Sequence, residues 1–121
     1  MKATHFCLNL TSGRPDALFR FYRESVGLPR AEGMGERALL AGPAVISFDG
    51  HSEVSGGAKE PQRYLIDFFV EDLAAEQARL EAQGVTFIRR RGREEWGGLI
   101  STFLDLDGNY CQLIEYREGA A

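Results

Sequence analysis

Apolar and polar positions alternate near the start of the chain, with Phe6, Leu8 and Leu10 in one set and His5, Cys7 and Asn9 in the other. A period of two predicts a strand with one apolar and one mixed face. The period changes over RPDALFRFYRESVG, where Leu18, Phe19, Tyr22 and Val26 recur at helical spacing, Pro15 suits a first turn and Gly27 suits a C-cap. A helix packed on the first strand is expected there. ERALLAG and PAVISFDG are short apolar runs parted by Gly42 and Pro43, which predicts two strands of a meander, with a small strand over residues 28–31 ahead of them.

From Arg63 the same order returns. RYLIDFFVE predicts a strand, Asp72 an N-cap with Glu76 in the first turn, and Leu73, Ala74, Ala78 and Leu80 a helix ending at Gly84. VTFIRR, LISTFLDL and the run after Asn109 supply three more strands. Strand, helix, strand, strand, strand is thus written twice, and a shift of 60 residues sets His5 on Leu65, Cys7 on Asp67 and Asn9 on Phe69. The expected fold is α+β: two tandem βαβββ modules, about residues 1–50 and 62–121, joined by a linker over 51–61 rich in Gly, Ser and charge. Too few helices are available to cover both faces of each sheet. They belong on the outer face, and a curved mixed sheet closes around a cleft. His5, Cys7, Leu65, Asp67, Phe69 and Gln112 are expected to face it.

The stretch STFLDLDGNYCQLIEY has the pattern of a hairpin turning at Asp107, Gly108 and Asn109. Its returning strand sets Tyr110, Gln112, Ile114 and Tyr116 on one face and Cys111 and Leu113 on the other. An amide among aromatic and aliphatic neighbours is either a filler at a sheet surface or a polar group facing a pocket.

Composition narrows the function classes. A chain of 121 residues with 44% hydrophobic content suits a single domain, and no stretch reaches the roughly 18 to 20 apolar residues of a membrane span. MKATHFCLNL lacks the h-region and cleavage site of a secretory signal, so a cytoplasmic location is expected. Cys7 and Cys111 have no CxxC spacing and are expected to be reduced thiols. A formal net charge of −4 with acidic residues scattered along the chain gives no attraction to phosphate backbones, so no nucleic-acid partner is expected. The basic run RRRGR, Arg89 to Arg93, is followed at once by two glutamates and is expected to be a solvated edge or loop.

HFCLNL, FRFYRESVGL, FFVEDL, WGG and DLDGNYCQLIE, in this order and spacing, resemble the vicinal oxygen chelate superfamily across nearly the whole chain. That superfamily holds glyoxalases, extradiol dioxygenases, fosfomycin-resistance enzymes and bleomycin-resistance binding proteins. The resemblance implies one domain over residues 1–121. In metal-using members it implies up to four inward ligands on the first and last strands of the two halves. His5 and Gln112 match two of these positions, Leu65 stands where a histidine is implied, and the fourth falls near Ser47, with Asp49 and His51 just beyond. Two donors are fewer than the three that a divalent site with an open position needs.

Asp67 lies between Ile66 and Phe68 in an apolar strand, where a buried, unpaired charge costs several kcal/mol. It is expected to face water, pair with a cation or be neutral. Trp96, before Gly97 and Gly98, is a candidate pocket wall. The ligand-binding candidates are His5, Cys7, Asp67, Phe69, Trp96, Phe103, Tyr110 and Gln112. The expected function is binding of a small organic molecule without a complete metal site or other cofactor. The alternative is a metal-dependent lyase, isomerase or dioxygenase, in which His5 and Gln112 help to hold zinc, iron, manganese or nickel. A homodimer is expected with either, because short modules of the resembling family commonly pair.

Overall fold

The computed structural model describes residues 1–116. The chain divides into two compact units, Met1–Gly56 and Gly57 onward. The end of the second expected module, residues 117–121, lies outside the described residues.

The first unit contains β1 (Cys7–Thr11), α1 (Pro15–Arg20), β2 (Ala38–Ala41) and β3 (Ala44–Asp49), with β3 central, parallel to β1 and antiparallel to β2. Register places Leu8 beside Ile46 and Leu10 beside Phe48 on one face, with Cys7, Asn9 and Ser47 on the other. The apolar face carries the core: Phe48 is fully buried, Tyr22 tilts onto it at 5.1 Å and Phe19 meets it edge-on at 6.0 Å. Pro15 opens the helix as expected, but from Phe21 to Val26 the winding loosens to a π-helix. Gly27 ends it at φ 91°, with its own N–H and that of Leu28 both donating to the Tyr22 carbonyl.

Two expectations change in this unit. The strand over 28–31 shrinks to one bridge, Arg30 opposite Leu39, because Pro29 has no N–H to donate and Gly33 and Gly35 turn the chain through left-handed conformations just beyond. The sheet therefore has three strands rather than four. β1 begins at Cys7, which leaves His5 outside the ladder.

The second unit contains β4 (Ile66–Phe69), α2 (Leu73–Ala82), β5 (Phe87–Arg93), β6 (Leu99–Leu104) and β7 (Tyr110–Glu115) in the order β4-β7-β6-β5. β4 runs parallel to β7, and the β5, β6 and β7 pairs are antiparallel. Asp72 caps α2 by accepting the Ala75 N–H at 3.0 Å, and the Glu115 carboxylate of β7 accepts the Leu73 N–H at 3.0 Å. α2 thereby lies on the face that carries Glu115. Parity and register assign Ile66, Phe103, Cys111 and Leu113, all buried, to that same face.

The β6–β7 turn is built by one side chain. The buried Asp105 carboxylate accepts the N–H groups of Asp107 and Asn109, both at 2.9 Å, and the Asn109 side-chain amide at 2.8 Å. RRRGR belongs to edge strand β5, which bulges twice against β6; its charges and bulges blunt the edge against further strand addition.

Candidate functional site

The β4-β7-β6-β5 face opposite α2 carries the polar chemistry of the second unit. Register aligns Asp67 with Gln112, Gln112 with Thr102, and Thr102 with Arg89. An acid, an amide, a hydroxyl and a base therefore form one row across four strands. Gln112 Nε2 donates to Thr102 Oγ1 at 3.1 Å, which holds the amide in place and satisfies a buried hydroxyl. At the β5 end, Arg89 donates to Glu94 at 2.7 Å. At the β4 end, Asp67 is exposed and its carboxylate makes no hydrogen bond or ion pair with another described residue. Partial burial still pushes its carboxyl above the ordinary aspartate range, since the charged form loses solvation.

The next row along the strands is apolar: Phe69 beside Ile114, and Ile114 beside Ile100. Phe69 is 70% exposed, whereas Ile114 is buried. Beyond it lies an aromatic pair, Trp96 from the β5–β6 turn stacked on Tyr116 after β7, with ring centroids 6.0 Å apart and planes 23° from parallel. Glycine makes this possible. A Cβ on Gly98 would lie 1.7 Å from a Trp96 ring carbon, so the ring rests directly over the Gly98 backbone. Gly97, at φ 93°, takes the left-handed turn that brings the tryptophan there. Both rings remain partly open to solvent.

Asp67, Phe69, Tyr110 and Gln112 thus share one sheet face, and Trp96 borders it through Tyr116. Phe103 does not join them. It is fully buried on the α2 side, paired with Cys111 and packed on Phe87 at 5.5 Å. Strand alternation puts it out of phase with Gln112. Sequence reasoning passed over Thr102, Arg89 and Tyr116 as site residues. The turn DLDGN held the signal for Thr102: pairing outward from Asp105 and Asn109 sets Leu104 on Tyr110 and Thr102 on Gln112.

His5 and Cys7 belong to the first unit. His5 is exposed and shares a hydrogen bond of 3.2 Å with the Thr4 hydroxyl. Cys7 is exposed, with its sulfur 3.3 Å from the Ser47 hydroxyl. Asp49 accepts from Arg37, and His51 Nδ1 accepts the Glu53 N–H. Among the described residues no three His, Cys, Asp or Glu side chains stand together as metal donors. Leu65 adds no donor, and Gln112, whose Nε2 is held by Thr102, offers a single neutral carbonyl oxygen. These side chains do not fit the three-donor set of a divalent site, so no chemical step is derived through one.

Residues 3–113 match the family model of the Glyoxalase/Bleomycin resistance protein/Dioxygenase superfamily. The chain belongs to that superfamily. Solved structures of similar fold span nearly all of it. A glyoxalase/bleomycin resistance protein/dioxygenase from Nocardioides superposes with a TM-score of 0.74 at 16% identity, covering 99% of this chain and 87% of the other. An integron cassette protein from the mobile metagenome of V. cholerae gives 0.71 at 23% identity, with 97% and 98% covered. TnmS3, an antibiotic binding protein from Streptomyces sp. CB03234, gives 0.71 at 21% identity, with 97% and 99% covered. At these identities the likeness is one of fold alone. No curated protein matches by sequence. Within the superfamily, the mixed α+β fold with sheets of three and four strands is the expected βαβββ architecture, with the first module's extra strand reduced to a bridge.

Proposed function

We propose that this superfamily member binds a small organic molecule on the β4-β7-β6-β5 face, through the polar row at Gln112 and the aromatic pair at Trp96, without metal-dependent chemistry. One observation carries the reading: a partly open indole stack and an oriented amide occupy the sheet face that the unit's own helix leaves free. Such a surface joins aromatic contact area to a few fixed polar groups, the composition of small-molecule sites. TnmS3 supports the same reading, since a protein of this fold is an antibiotic binding protein.

His5 and Cys7 stand as separate ligand candidates on the first unit. We also propose a homodimer in the cytoplasm. Exposed Phe6, Tyr64 and Leu65 are apolar area that pairing would cover, and neither Cys7 nor Cys111 is joined in a disulfide. No helix among the described residues is long and apolar enough to cross a membrane.

A screen of planar organic compounds by thermal shift tests the binding reading, because a ligand of the native state raises the melting temperature by mass action. A hit should quench the fluorescence of the sole tryptophan, and Trp96→Ala should weaken it about tenfold, a loss of roughly 1.4 kcal/mol of stacking. Hits that survive Trp96→Ala and Gln112→Leu unchanged would place binding elsewhere. Stoichiometric metal in the purified protein, lost on Gln112→Ala, would instead favour the metal-dependent lyase, isomerase or dioxygenase.

A further inference from the structure

We propose that the compound taken by this face is an aromatic amidine or guanidine: a planar cation with two parallel N–H groups attached to an aromatic body. This rests on the binding reading above and adds the ligand's chemical class.

Three features of the polar row lead there. Gln112 spends one amide N–H on Thr102, which fixes the amide and leaves its carbonyl oxygen, beside the second N–H, open to a visitor. Asp67 is its register partner on the neighbouring strand, and paired strands lie about 4.8 Å apart, so the two side chains leave the same face as neighbours and a carboxylate and a carbonyl oxygen are within reach of one ligand head. The cation of the same row cannot serve Asp67, because Arg89 lies at the opposite edge of the sheet and is bound to Glu94. The β4 end of the row thus holds one uncompensated negative charge beside one neutral acceptor. A flat cation with two N–H groups on one edge satisfies both at once, through charge-assisted bonds. An ammonium has three donors but no fixed planar edge and is more strongly hydrated, and an anion meets repulsion.

The aromatic body follows from what adjoins the acceptors. Exposed Phe69 lies one pleat along the same face, and Tyr116, with Trp96 stacked on it, follows the end of β7 four residues from Gln112, about 13 Å by strand rise. A cationic head at Asp67 and Gln112 therefore directs a ring system over apolar surface toward the indole. Two fused rings carry the ligand most of that way.

Three probes on one naphthol body test the class by isothermal titration calorimetry on the full chain: 6-amidino-2-naphthol, its isosteric anion 6-hydroxy-2-naphthoate, and unsubstituted 2-naphthol. The amidine should bind about tenfold more tightly than 2-naphthol, and the naphthoate more weakly than either. Asp67→Asn should reduce the amidine to the affinity of 2-naphthol without lowering the melting temperature, which separates lost recognition from lost folding. Equal affinities for all three probes, or an amidine preference that survives Asp67→Asn, would overturn the inference and leave the binding reading standing. If none of the three binds, the class is wrong, and the planar-compound screen separately decides whether the face binds anything.

Discussion

Asp67 is a carboxylate in an apolar strand that has neither a cation nor full hydration. Its raised native pKa means that the folded state holds the proton more tightly than the unfolded state. Ionisation therefore costs stability above the native pKa, and that cost disappears below the ordinary aspartate value. Asp67→Asn should consequently melt higher than the parent at pH 7, and the gap should close as pH falls through the raised value toward the ordinary one. Melting curves at several pH values measure this. Gln112→Leu behaves differently. It removes the partner of the buried Thr102 hydroxyl and should cost about 1 to 3 kcal/mol in urea unfolding. Gly98→Ala tests the indole seat: its φ is unremarkable, so the added methyl should displace the exposed Trp96 ring from Tyr116, changing near-UV circular dichroism while shifting the melting temperature little. Of these positions, Asp67 and Gln112 stood out in the sequence because each is a polar residue at an apolar strand position. The hydroxyl opposite Gln112 did not, since threonine is common in strands and carries no signal without a register.

Alternation located β1 and β7, and short apolar runs bounded by turn residues located β3, β4 and β6. The pattern failed at the strand expected over 28–31, where a proline and two left-handed glycines outweigh the neighbouring apolar positions, and it did not foresee the loosened winding of Phe21–Val26. It also could not assign Phe103 to a face, because LISTFL has no clean alternation and only pairing with Cys111 fixes its side. At the element scale, α2 depends on two acidic side chains at its N-terminus. Asp72→Ala should cost about 1 kcal/mol, the usual loss of a cap. Glu115→Ala should cost more, about 1 to 3 kcal/mol, because the Leu73 N–H it serves is buried. Urea titrations of the two variants and their double mutant measure both terms.

For the molecule as a whole, the repeat was legible as two copies of one order of elements, whereas the alignment of Asp67 and Gln112 with Thr102 and Arg89 was not, since it depends on which residues four strands bring into line. The proposed homodimer predicts twice the chain mass by light scattering at micromolar concentration; a monomer there would remove it. The Asp105 turn bears on the order in which the second unit is made. β7 has two neighbours, β6 joined to it by a short local turn and β4 far away along the chain. Closing the hairpin loses little chain entropy, whereas pairing β4 with β7 must first close a long loop. A turn held by three bonds to one carboxylate therefore favours β6–β7 as the nucleus on which β4 later docks. Asp105→Ala should accordingly slow refolding in stopped-flow experiments and leave the unfolding rate nearly unchanged, so that this carboxylate governs how fast the β4–β7 platform appears more than how long it lasts.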